Sequence, residues 1–122
     1  MDCSGVGAGG ITRVLTEVVR HWPAGEAVDL VAVPAGWTVP DRTTADVSVR
    51  SRQSPSRGRT IAAATAAMRQ AAAPVLSLSP SLAVAASQAP VTTVVHDLAF
   101  RLWPRGGHAW FLPQELHLDR AD

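Results

Sequence analysis

Residues 4–33 read SGVGAGGITRVLTEVVRHWPAGEAVDLVAV, and this succession of glycine loop, amphipathic segment and apolar run decides the fold class. Ile11, Val14, Leu15, Val18, Val19 and Trp22 recur at helical spacing, so residues 11–22 are expected to form a helix with one apolar stripe. Pro23 and Gly25 end it. Residues 27–33, AVDLVAV, form a β-branched run of strand length, closed by Pro34 and Gly36.

Outward from this unit the rhythm repeats. Residues 40–58 are polar and hold Arg42, Arg50, Arg52 and Arg57, and within them only VSV at 47–49 has strand character. Residues 60–73, TIAAATAAMRQAAA, lack interior Gly and Pro and predict a helix starting at Thr60 or Arg59. VLSL at 75–78 and VTTVV at 91–95 predict two more strands, with a short helix in SPSLAVAASQ between them. Residues 98–107 read as a loop with apolar anchors, and 108–122 as a final helix disturbed by Pro113. Strands alternating with helices indicate parallel βαβ units and a layered α/β domain.

Composition narrows the class. A chain of 122 residues with 47% hydrophobic content suits one domain and is too short for two. Its 11 basic residues are all Arg, and with 10 acidic ones they leave a net charge of +1. That balance argues against a dedicated nucleic-acid binder, which carries a basic excess or stripe. Cys3 is the single cysteine, so no internal disulfide or Cys-based zinc cage can form. The Gly-rich start does not resemble a signal peptide, and residues 61–75, interrupted by Arg69, Gln70 and Pro74, are too short and polar to span a membrane. A cytoplasmic location is expected.

Two features carry candidate chemistry. Gly5, Gly7 and Gly10 satisfy G-x-G-x-x-G ahead of a helix whose N-terminal amides suit a phosphate. The dinucleotide fingerprint also needs a preceding strand, where only MDCS stands, and an acidic residue at the end of the next strand, where Asp29 lies near the start. A phosphate turn, a dinucleotide loop and a tight turn without ligand all remain open. His96 and Asp97 follow VTTVV where a strand ends, and in an open parallel sheet ligands bind beyond the carboxyl ends of strands. His offers a donor or acceptor near neutral pH and Asp a carboxylate to grip a hydroxyl; the plainer reading is a pair capping the turn at Leu98.

A metal-dependent HD phosphohydrolase would carry such a pair on a helix, whereas VTTVV is strand-like, and His21, His108 and His117 lack ligand spacing to His96. No metal is expected. Ser77, Ser79 and Ser81 offer hydroxyls at a strand end, or Ser79 or Ser81 caps the short helix that follows. The arginines of 42–59 read first as a solvated face, with an anion site or an acidic lipid surface as alternatives. Trp22, Trp37, Trp103 and Trp110 are dispersed and read as core or loop anchors.

With GGITRVLTEVV at 9–19 and VTTVVHDLAFRLWP at 91–104, in that order, the chain resembles the N-terminal domain of a GT-B glycosyltransferase of the retaining family-4 type. In that family a loop of the form GG-hydrophobic-x-Arg opens the first helix, matched here by Gly9, Gly10, Ile11 and Arg13, with Glu17 following. VLSLSPSL at 75–82 resembles the family's strand followed by His-Ser-Pro, and VTTVVHDLAF its TVHDL-x-F segment. The likeness covers residues 5–102, is most specific at 94–100 and is loose over 107–122.

The resemblance implies a Rossmann-like parallel sheet flanked by helices, the N-terminal half of a two-domain enzyme whose C-terminal half holds a nucleotide-sugar. It implies that Gly9 and Gly10 approach the donor diphosphate or the acceptor, with Arg13 and Ser79 as further candidates there. It implies that His96 hydrogen-bonds the donor sugar, with Asp97 beside it. Retention is attributed to front-face attack, so no acid-base pair, metal or further cofactor is implied. The acceptor would be a polysaccharide or a lipid-linked glycan, with peripheral contact at the inner face of the membrane. The family's strand before the glycine loop and its C-terminal domain with a Glu-rich donor motif have no counterpart in these residues. The expectation is a partial domain, inactive alone, with an open edge at the missing strand; the alternative is a stand-alone module that binds a nucleotide or phosphorylated ligand without catalysis.

Overall fold

Val28 and Leu30 are buried while Ala27 and Asp29 are exposed, the alternation of a strand with one face on a core. In the computed structural model, which describes residues 1–7 and 10–95, this strand is β1 (Ala27–Leu30). It pairs in parallel with β2 (Asp46–Val49), Ala27 opposite Asp46. β3 (Val75–Ser77) pairs in parallel with β4 (Val91–Thr93), Val75 opposite Val91. The predicted parallel α/β arrangement is therefore present as two short two-stranded sheets with two helices, α1 (Gly10–Arg20) and α2 (Arg57–Arg69).

Residues 1–3 join the two pairs, and this corrects the expectation of an empty strand position ahead of the glycine loop. Asp2 forms parallel bridges to Val31 on one side and Ser77 on the other. Val31 N donates to Met1 O (3.0 Å) and Cys3 N to Val31 O (2.8 Å), while Asp2 N donates to Leu76 O (2.8 Å) and Leu78 N to Asp2 O (3.2 Å). The resulting order is β2, β1, residues 1–3, β3, β4. Three residues satisfy ladder groups on both sides, which is why so short a segment holds its place.

Each face has its own core. Cys3, Val6, Leu15, Val19, Val28, Leu30, Val33, Trp37 and Leu78 pack together, with Ile11, Val18 and Trp22 against them, so the stripe of α1 faces as its spacing predicts. Val31, Ala32, Ala64, Met68, Val75 and Ala83 form a second cluster, to which α2 contributes positions four apart. Trp37 and Trp22 are core anchors, as expected; Trp103 and Trp110 lie outside the described residues.

The element boundaries shift for identifiable reasons. α1 stops at Arg20, because Pro23 disfavours helical backbone at Trp22, whose N–H turns to Val19 O. α2 starts three residues before Thr60: Ser56 is its N-cap, Oγ accepting from Arg59 N, and Thr60 is buried with its hydroxyl tied to residues 54 and 56. It ends at Arg69 with Gln70 as C-cap, ahead of Pro74. β1 ends at Leu30 because Ala32 has φ +58°, a left-handed conformation in which its N–H leaves the ladder and donates to Ser51 Oγ. The 3-10 helix Leu82–Ala86 is the short helix expected between β3 and β4, capped by Ser81. The predicted helix at 108–122 lies outside the described residues.

Candidate functional site

The carboxyl ends of residues 1–3 and of β3 are adjacent, and the chain leaves them through the glycine loop toward α1, which packs in the first core cluster, and through 78–81 toward the 3-10 helix, which packs in the second. Between strand ends that diverge in this way open α/β sheets place their ligand crevice; here the two departing loops touch, Gly5 packing on Ser79. The crevice floor is Asp2, 1% exposed. Asp2 Oδ1 accepts from Ser4 N at 3.0 Å, and the Ser77 hydroxyl is shared between Asp2 Oδ2 (3.0 Å) and Ser79 O (2.7 Å). A buried carboxylate is tolerated only when so satisfied. Ser4 Oγ and Ser81 Oγ are 2.7 Å apart and close the crevice above it.

Among the described glycines of the loop, Gly5 is the one whose missing side chain the fold requires. A Cβ there would stand 3.0 Å from Ser79 Cβ, 3.1 Å from Pro80 O and 3.2 Å from Ser79 Oγ. Ser79 thus packs directly on the glycine loop, which brings two of the predicted motifs together. At Gly7 and Gly10 no atom of the described residues lies within 4 Å of a built Cβ, so packing among those residues explains neither. Gly10 is the first residue of α1 and is exposed, and Arg13, on the first turn, is exposed with no ion pair among the described residues. Gly9, His96 and Asp97 lie outside the described residues. β4 leads toward His96 and runs parallel to β3.

Three side chains that sequence reasoning missed hold the loop. Gln53 Nε2 donates to Val6 O (2.6 Å), Cys3 O (3.1 Å) and Ala32 O (3.1 Å), so one amide fixes the loop, its preceding strand and the strained turn. The Arg57 guanidinium, at the start of α2, donates to Ser4 O. Asp2 is the third. Gln53 and Arg57 carry no local signal, since their partners lie 21 to 53 residues away; polar Asp2 and Ser4 alternating with apolar Met1 and Cys3 is a period-2 trace too short to announce the strand by itself. Arg57, Arg50 (paired with Asp29 at 3.2 Å) and Arg52 (bonded to Trp37 O) are exposed but tied down, which refines the reading of a solvated arginine face.

Burial sets the charge state beneath the crevice. It pushes the Cys3 thiol up to about 12 and lowers the Met1 α-amine, which donates to Asp29 O at 2.6 Å. Asp29 therefore belongs to the amino end of the sheet, away from the glycine loop, and pairs there with Arg50. A dinucleotide ribose at the loop would find no acid in that position. Among the described residues no group of three or more His, Cys, Asp or Glu could hold a metal, and no helix is long and apolar enough to cross a membrane.

The start of α1 and the open space at Gly7 and Gly10 follow directly in the chain from this polar floor, and the Arg57 guanidinium sits on Ser4 O; helix-start amides beside open glycines suit a phosphorylated or polyhydroxylated ligand. Comparison of the chain with protein-family models, curated proteins and solved structures gives no match.

Proposed function

We propose that the chain is the acceptor-side N-terminal domain of a retaining GT-B glycosyltransferase of the family-4 type, whose complete form moves a sugar from a nucleotide-sugar to a polysaccharide or lipid-linked acceptor. The observation that carries this reading is the strand order. Counting residues 1–3 as the first strand, it corresponds to the 3-2-1-4-5 order of a doubly wound, Rossmann-like sheet, with the glycine loop at the switch point. In this reading Gly9 and Gly10 let a diphosphate or acceptor approach the start of α1, Arg13 and Ser79 flank it, and His96 with Asp97 meets the donor sugar. Backbone amides at a helix start stabilise the charge that develops on a leaving diphosphate, and the glycines contribute no covalent chemistry.

A second reading, a module that binds a nucleotide or phosphorylated ligand without turnover, is favoured by the satisfied polar floor of the crevice, which needs no second domain. The test is sugar transfer by the product of the complete reading frame, with His96→Ala and Gly10→Val beside the parent. The glycosyltransferase reading expects turnover that His96→Ala cuts strongly and that Gly10→Val impairs through KM or kcat. Full turnover by both variants defeats the site assignment. A large heat-stability shift of the 122-residue chain with nucleotide-sugars, about 2.7 kcal/mol at a hundredfold excess over Kd, supports the binding module instead.

A further inference from the structure

Beside the glycine loop, along α1, lies a recess of about 490 Å³ lined by residues that include Thr12, Thr16, Pro34, Trp37, Thr38 and Pro40. The Thr12 hydroxyl joins it to the loop by donating to Gly7 O. Among the described residues its wall contains no ionisable side chain, although exposed arginines lie nearby in sequence at 13 and 42. A charged ligand seated here would meet no counter-charge among the described lining side chains, and the neighbouring Arg52 guanidinium is held on Trp37 O. The wall instead combines apolar surface from two prolines and Trp37 with threonine hydroxyls, a combination that suits a ligand bringing both C–H faces and hydroxyls.

The hydroxyls differ in what they have left to offer. Trp37 Nε1 donates to Thr16 Oγ1 at 3.0 Å, and Thr16 Oγ1 donates to Thr12 O at 3.1 Å, so the indole is locked and the Thr16 hydroxyl is used in both directions. Thr12 has spent its proton on Gly7 O and retains an acceptor. Thr38 is exposed at the rim, and its hydroxyl makes no hydrogen bond among the described residues. One free hydroxyl and one free acceptor on a rigid, uncharged wall match a ring with neighbouring hydroxyl groups. We propose that this recess holds a neutral sugar ring of the acceptor, so that the acceptor is a neutral glycan rather than an acidic one. The proposal rests on the acceptor-side reading above and specifies its substrate class.

The test is a titration of the ¹⁵N-labelled chain with methyl glycosides of glucose, galactose, mannose and N-acetylglucosamine, with glucuronate as the charged control. The reporter is the Trp37 indole N–H resonance, assigned through Trp37→Phe. At least one neutral glycoside is expected to move it saturably in the millimolar range, with glucuronate at least about tenfold weaker. Thr38→Val, at an exposed position, should weaken that binding about three- to tenfold without unfolding the chain. Silence of the resonance toward every neutral glycoside overturns the proposal, as does glucuronate binding equally well. Saturable binding by a protein whose complete form transfers no sugar would keep the recess and remove the glycosyltransferase reading; transfer to a neutral glycan with a silent Trp37 would do the reverse.

Discussion

Replacing Gly5 by Ala probes the contact that joins the two halves of the crevice. The new methyl carbon would lie 3.0 Å from Ser79 Cβ and 3.1 Å from Pro80 O, closer than carbon and oxygen normally approach, so the 79–81 turn must retreat. That turn also carries the Ser4–Ser81 contact and the carbonyl that accepts from Ser77, so retreat loosens the bonds over Asp2. Overpacking of this kind costs about 2 kcal/mol, which for a chain of this size lowers Tm by roughly 6–12 °C. Gly10→Ala is the control: its methyl meets nothing within 4 Å and replaces glycine in a helix, so it should be neutral or stabilising by about 0.5 kcal/mol. Thermal melts followed by circular dichroism read both. In Gly5→Ala/Ser79→Gly, two of the three close contacts disappear and the pair should couple by at least about 0.5 kcal/mol. Gly5→Ala melting at or above the parent temperature, or additive effects in the double variant, would refute the packing of Ser79 on the loop.

Other consequences can be checked separately. The Cys3 thiol is raised from 9.0 to about 12, so its contribution is complete below pH 9 and is lost as pH climbs toward 12; with no Lys or Tyr in the chain, little else titrates there. Urea midpoints between pH 8 and 10.5 should fall more steeply for the parent than for Cys3→Ala, by up to about 1.4 kcal/mol per pH unit, and parallel slopes would place Cys3 outside the core. The Met1 amine is lowered from 8.0, so its contribution is present above pH 8 and lost as pH falls through the folded value; together these two groups set an optimum near pH 8–9, which a stability profile with its maximum at pH 6 would contradict. Gln53→Ala leaves the carbonyls of Val6 and Ala32 without the amide donor and Cys3 O with Val6 N alone. A loss of about 1–3 kcal/mol is expected, with faster hydrogen exchange at Val6 and Gly7, and unchanged exchange there would show that the amide does not hold the loop.

How much of this was legible in the sequence depends on the range of the interactions. The stripe from Ile11 to Trp22, the β-branched runs and the parallel pairing they imply follow from local periodicity, and the described elements keep that order. The central position of residues 1–3 was not legible, because three residues carry too little periodicity to announce a strand; their place is fixed by Val31 and Ser77, far along the chain. Ala32 shows the same limit. AVDLVAV predicts an unbroken strand, yet Ser51 Oγ and the Gln53 amide together hold Ala32 in a left-handed turn that no alanine favours by itself. At the candidate site the sequence supplied Ser79 and the glycines but not the reason for them: Gly5 answers to Ser79, whereas Gly7 and Gly10 meet no atom within 4 Å among the described residues. That difference separates glycines kept for packing from glycines free to face a ligand.

The most direct measurement of the central proposal is to sequence the genomic locus through both ends of this reading frame. The account predicts a downstream stretch encoding a second Rossmann-like domain with a Glu-rich donor motif in the same gene. Genuine start and stop signals bounding these residues, with no such domain beyond them, would contradict the glycosyltransferase reading and leave the binding module in its place.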